Sequence, residues 1–308
     1  MGVAAMALLM ATSCESGDKD FGYDGETAVY FSNSGSDRIL ELGEDQEADL
    51  TDDNNHIVNI KAVVAGGYGN SNDVKVDYVI DPALCDGYNI NGAAIDVMPS
   101  NYYEVQNPNQ FTIASGQLLG GVKVKLTDAF FEDAKSWESG YVIPVKLTKA
   151  EGVSKILSGK DMTFYRVKFV NPWTATYLRK GKDVINGTET HRCFQYVEKA
   201  EVIKVVTKGL NKSQVTVAFK DAAGNAHNVD LLLTFNGDDC TISSNTNGVE
   251  VSGSGKFVKK DQLMGEFKRN TLYLNYNVKS ADLGTIETTD TMVVRNRGIE
   301  FKTFVPKK

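Results

Sequence analysis

The chain has 308 residues, 42% of them hydrophobic and 24% charged, with a formal net charge of −7. That balance belongs to a folded globular protein and excludes a chain too polar to build a core. The charge is uneven: residues 21–170 carry 22 acids against 12 bases, residues 171–308 carry 15 against 20, and the scattered bases of the second half never interleave with aromatics, which argues for two domains and against a nucleic-acid platform.

The first element in chain order is an apolar run at residues 3–11, far short of the roughly 20 residues a membrane-crossing helix needs. It reads as the hydrophobic region of a secretory signal, because the small residues Ala11, Thr12 and Ser13 directly precede Cys14. That order resembles the bacterial lipoprotein box. The resemblance implies that residues 1–14 are a lipoprotein signal segment, that Cys14 is acylated and that residues 15–26 are a tether. The acids Glu15, Asp18 and Asp20 just after the cysteine resemble the Bacteroidetes signal for export to the outer face of the outer membrane. The expected location is therefore the outer membrane, lipid-anchored and facing the exterior, with the membrane touched only through the acyl chains. Two or more chains, at about 0.8 kcal/mol per buried methylene, give stable attachment. The competing reading of this segment is a tail with an incidental cysteine.

Beyond the tether, period-two alternation dominates. Val122, Val124 and Leu126 alternate with lysines, Val215, Val217 and Phe219 with Thr216 and Ala218, and Leu272, Leu274, Tyr276 and Val278 with Tyr273, Asn275 and Asn277. Each run predicts a strand with one apolar and one wet face. Turn clusters rich in Gly, Asn and Asp separate the runs, for example at residues 65–73, 221–227 and 243–250. Short helices are expected only at residues 127–137 and 259–267. Pro172 cannot donate to a central ladder and marks a boundary, giving domains at residues 27–170 and 171–308. The fold class is all-β, built from antiparallel sandwiches or barrels.

The landmarks VDYVIDPAL (76–84), VMPSNYYEV (97–105), FTIASGQLLGGVKVKLTDAFF (111–131) and YVIPVKLTKAEG (141–152) together resemble the N-terminal domain of many Bacteroidetes surface lipoproteins, domain-of-unknown-function family 1735. WTATYLRKG (173–181) and DTMVVRNRGIEF (290–301) resemble its C-terminal companion, family 4361. The resemblance implies an immunoglobulin-like β-sandwich followed by a second antiparallel β domain, a calycin-like barrel in preference to a sandwich. It also implies a setting among polysaccharide-utilisation genes. It transfers no catalytic or ligand residue.

The residues themselves are poor in catalytic signatures. His56, His191 and His227 are widely separated, and neither HExxH nor CxxC occurs, so the spacing of a zinc site is missing. No GxSxG elbow and no phosphate loop in its strand–helix context is present. The acid run Glu41, Glu44, Asp45, Glu47, Asp49, Asp52 and Asp53 reads as a solvated loop and edge. Calcium at Asp52, Asp53 and Asn54 is the alternative, without EF-hand spacing. Glu132 with Asp133, and Asp238 with Asp239, are sequence neighbours whose side chains diverge on a strand, so neither makes a glycosidase pair. Besides Cys14 there are three cysteines. Either Cys193 bridges Cys240, with Cys85 a buried hydrophobe, or all three are isolated.

Sugar binding asks only for an open aromatic face with polar groups at its rim. The candidates are Trp137, Tyr102, Tyr103, Trp173 and Tyr177, of which Trp137 is the best placed to be exposed, and Trp173 and Tyr177 also read as barrel-floor packing. Tyr102 and Tyr103, in tandem, must point to opposite sides. The expected function is non-catalytic capture of a polysaccharide or oligosaccharide beside neighbouring outer-membrane uptake proteins, with no cofactor and no metal. The alternatives are an adhesive module that recognises protein and a glycoside hydrolase or its accessory.

Overall fold

The computed structural model describes residues 26–45, 48–67, 70–192 and 199–308. Cys14, the signal segment and nearly all of the tether, Glu47 and Cys193 lie outside the described residues. The strands of the first domain are β1 (Ala28–Tyr30), β2 (Gly35–Glu41), β3 (Ile57–Ala65), β4 (Val74–Ile80), β5 (Asn89–Ile90), β6 (Ala93–Ala94), β7 (Tyr103–Val105), β8 (Gln110–Ile113), β9 (Leu119–Leu126), β10 (Tyr141–Glu151), β11 (Lys155–Ile156) and β12 (Met162–Val170).

Ten of them form two sheets, and β5 and β6 pair as a separate two-stranded one. One runs β11-β1-β3-β9-β7, and the other runs β2-β12-β10-β4-β8 and gains a further strand at its β2 edge from the far end of the chain. The alternating residues Val58, Ile60, Ala62 and Val64 of β3 and Val122, Val124 and Leu126 of β9 meet Val74, Val76, Val145 and Leu147 of the opposite sheet in one buried core. This is a sandwich: each sheet covers the apolar face that the other cannot leave in water. The pair β2–β12 is parallel and the pairs β10–β12 and β3–β9 are antiparallel.

The second domain contains β13 (Ala175–Ile185), β14 (Thr188–Arg192), β15 (Glu201–Gly209), β16 (Lys212–Lys220), β17 (Ala226–Asn236), β18 (Asp239–Ser244), β19 (Val249–Met264), β20 (Phe267–Ser280) and β21 (Gly284–Asn296). Consecutive strands pair antiparallel from β15 to β21, and β13 pairs with β15 on one side and β21 on the other. The sheet therefore closes into an eight-stranded barrel, which removes its free edges. Val215, Val217, Phe219, Leu231, Leu233, Leu272, Leu274 and Ile286 fill it. Glycine permits the close approach of strands here: a Cβ on Gly255 would lie 2.8 Å from Cys240 Sγ and 2.6 Å from the Tyr273 carbonyl. Cys240 and Cys85 are free, buried thiols.

The chain then leaves the barrel. β22 (Lys302–Thr303) pairs antiparallel with Ser36 and Asp37 of β2, and the Asn89 and Lys307 backbones exchange hydrogen bonds of 2.7 and 3.0 Å. Phe304 lies on Gly35, where a Cβ would be 2.5 Å from its ring, under the Arg166 guanidinium. The last residues, assigned from sequence to the second domain, thus pack on the first. Residues 127–137 form α1 (Asp128–Glu132) and α2 (Lys135–Glu138). Residues 259–267, expected as a helix, instead continue β19 into a turn at Gly265 and on into β20. Among the described residues no helix is long and apolar enough to cross a membrane.

Candidate functional site at the domain seam

The two domains are pinned together at the linker. Asn171 is fully buried, and its side-chain amide donates to the carbonyls of Gly209 (3.0 Å) and Lys212 (2.8 Å) and to Ser213 Oγ (2.9 Å). From the end of β21, Arg297 donates to the carbonyls of Asn171 (2.8 Å) and Leu42 (2.9 Å) and pairs with Glu41 at 2.9 Å. Burial pushes the Glu41 carboxyl above its ordinary range, with Arg297 pulling the other way.

Beside this clamp opens a cleft of about 330 Å³, lined by Glu41, Glu44 and Asp45 from the first domain and by Pro172, Phe257, Arg269, Asn270, Val294 and Asn296 from the linker and barrel. A second space of about 540 Å³ shares Glu44, Asp45 and Asn270 with it and extends along Lys260, Phe267 and Lys268. A third, of about 200 Å³, reaches Trp173. The outer wall is the overhanging end of the β19–β20 hairpin. Its register shifts between Val258 and Gln262, and Lys260 stands at φ 48°, a left-handed conformation uncommon for a lysine. The Asn270 side chain accepts from the Lys260 backbone N–H at 2.9 Å and holds the bulge. Beyond it Phe267 is 59% exposed, and Arg269 lies 5.9 Å from its ring.

The sequence-chosen aromatics fall elsewhere. Trp137, expected to be open, packs edge-on against Phe169 at 5.8 Å, with its indole nitrogen buried, because the helical turn that carries it folds onto the end of the sandwich core. Tyr102 donates to Asp133 at 2.7 Å and meets Tyr141 edge-to-face, and Tyr103 packs against the same core. Asp133 also accepts from Tyr141 at 2.6 Å, so its carboxylate is committed. Trp173 stacks on Phe235 at 3.7 Å and 5°, and the fully buried Tyr177 donates to the Trp173 carbonyl at 2.8 Å. That pair floors the barrel, and only Trp173 borders the cleft system.

The remaining polar candidates are occupied as well. Asp53 binds Arg38 and the Glu41 backbone N–H, Asn54 binds Gly43, and Asp52 accepts from Asn59. His227 contacts Asp221, and His56 lies against Phe131. Among the described residues no group of three or more His, Cys, Asp or Glu is arranged to hold a metal. Phe267, Arg269 and Asn270 were missed because KKDQLMGEF mimics an amphipathic helix. The signal that could have found them is Gly265, at φ 62° in the hairpin turn.

Family models match both domains. An N-terminal-domain model matches residues 23–154, and DUF5627, a domain of unknown function, matches residues 172–298. The second carries a different number from the family that the C-terminal sequence resembles. No curated protein matches. Among solved structures, a structural-genomics protein of unknown function from Bacteroides ovatus superposes with a TM-score of 0.84 at 34% identity, covering 92% of this chain and 99% of that one. A second from the same organism reaches a TM-score of 0.46 at 11% identity over 89% and 97% of the two chains.

Proposed function

The chain belongs to the family of that first Bacteroides ovatus protein, itself of unknown function, and we propose that it is a non-catalytic cell-surface lipoprotein that captures glycan in a polysaccharide-utilisation system. The observation that carries this reading is the exposed Phe267 ring beside a cleft rimmed by Asn270, Asn296 and carboxylates. A pyranose ring offers an apolar C–H face to such an aromatic and hydroxyls to such a rim. The paired Glu41 and Arg297 serve the domain seam rather than a reaction. Acylated Cys14 holds the body at the outer face of the outer membrane, where neighbouring uptake proteins receive the glycan. The resemblance of the N-terminal landmarks to family 1735 supports this setting.

The test is affinity electrophoresis of the intact protein through gels containing a panel of neutral and acidic polysaccharides. Retardation by at least one polysaccharide, lost in Phe267→Ala with the thermal transition unchanged, is expected. Migration unaffected by every polysaccharide would overturn the reading. One feature favours the adhesive alternative: Leu263, 64% exposed on the same hairpin, extends the apolar tip beyond what one sugar ring covers. Mass spectrometry of native membranes checks the anchor, with a diacylated Cys14 as the new amino terminus expected and an unmodified thiol contradicting it.

A further inference from the structure

The seam cleft holds acids and bases, but they are not equally free. Glu41 is paired with Arg297 at 2.9 Å, although its buried Oε1 accepts no hydrogen bond, Glu44 is paired with Lys259 at 2.9 Å, and Asp45 is likewise engaged. Among the described residues neither Arg269 nor Lys260 forms an ion pair, although Lys260 is close enough to Glu44 to help hold its carboxyl below the ordinary range, and the Arg269 Nε is buried without a hydrogen-bond partner. A buried guanidinium N–H without an acceptor is costly, and a planar carboxylate satisfies it bidentately. Phe267 and Arg269 are two residues apart on β20 and so emerge on one face. The guanidinium lies over the face of the Phe267 ring, 5.9 Å from its centroid, so a saccharide ring that shares that face meets Arg269 at its own level.

Resting on the glycan reading, we infer that the ligand is an acidic saccharide: a uronic-acid residue stacks on Phe267 and places its carboxylate on Arg269, with Lys260 as the second cation. The guanidinium fork suits a carboxylate better than a point charge would, which separates Arg269 from an ordinary surface lysine. The chain's net charge of −7 opposes indiscriminate polyanion binding, so affinity for such a ligand has to come from a local site.

Isothermal titration of the intact protein with tetragalacturonic acid, its fully methyl-esterified form and a sulfated tetrasaccharide tests this. Expected is at least tenfold tighter binding of the acid than of the ester, with that preference abolished in Arg269→Ala and only partly kept in Arg269→Lys, while ester binding survives in both. Equal affinity for acid and ester, or preference for the sulfated ligand alone, overturns the inference and leaves the glycan reading standing. Failure of all three ligands overturns the inference. Failure of the whole polysaccharide panel overturns the glycan reading with it. Because Arg269→Lys keeps the charge and the stem, its folded thermal transition separates loss of recognition from loss of fold.

Discussion

Arg297 and Glu41 meet at 2.9 Å across the seam between barrel and sandwich, with side chains only 8% and 11% exposed. The guanidinium also holds the carbonyls of Leu42 and Asn171, so one side chain ties the first domain, the linker and the end of the barrel together. Removing it leaves a buried carboxylate without its counter-charge. Arg297→Ala is expected to lower stability by about 3–5 kcal/mol, read as a lower urea midpoint. An unchanged midpoint would mean that the seam is held by something else.

The same pair gives the seam a pH dependence. Burial raises the Glu41 carboxyl above the ordinary value of 4.5, against the pull of Arg297. Between the ordinary and the raised value the folded protein binds this proton more readily than the unfolded chain does. The contribution of the group to stability therefore rises as pH falls through that window and is level below it. Glu41→Gln lacks this proton. The difference in urea midpoint between wild type and Glu41→Gln should shift toward the wild type from neutral pH down to about the ordinary glutamate value, and a constant difference would contradict the assignment.

Inside the barrel, Asp290 is fully buried and accepts from Arg179 Nε and Tyr276 Oη, both at 2.9 Å, while Arg192 binds its other oxygen. Asp290→Ala leaves the buried Arg179 with only the half-exposed Glu201 as counter-charge and is expected to cost about 3 kcal/mol, whereas the double replacement Arg179→Met with Asp290→Leu should recover most of that loss. Thermal denaturation of both variants checks the order, and equal losses would show that the network does not act as a pair.

The C-terminal strap makes a separate prediction. Deleting residues 299–308 removes β22 from the β2 edge and Phe304 from Gly35. The expected loss is about 2 kcal/mol for the uncovered ring, together with concentration-dependent association through the freed strand edge. Light scattering that stays monomeric at high concentration would show that the edge is protected without the strap.

Much of the fold was legible because burial writes its period into a strand. Val122, Val124 and Leu126, and Leu272 through Val278, are buried as their alternation demands. Pro172 sits where one core ends and the next begins, between Phe169 and Trp173. The site was less legible, for a physical reason. Phe267 and Leu263 are exposed because β19 and β20 outrun the barrel, and strand overhang depends on pairing with distant partners rather than on local pattern. Trp137 misled in the opposite sense: polar neighbours suggested an open ring, yet a single helical turn delivers it to Phe169. The return of Phe304 to Gly35 spans almost the whole chain and leaves no local trace.

The most direct measurement is hydrogen–deuterium exchange of the intact protein with and without a saturating oligosaccharide drawn from the polysaccharide panel. Slowed exchange confined to the β19–β20 hairpin around residues 259–270 and to the facing segment 41–45 is the expected result. Protection on another face, such as the polar outer wall around Ser252 and Asn277, or no protection under any ligand, would contradict the placement of recognition at the seam.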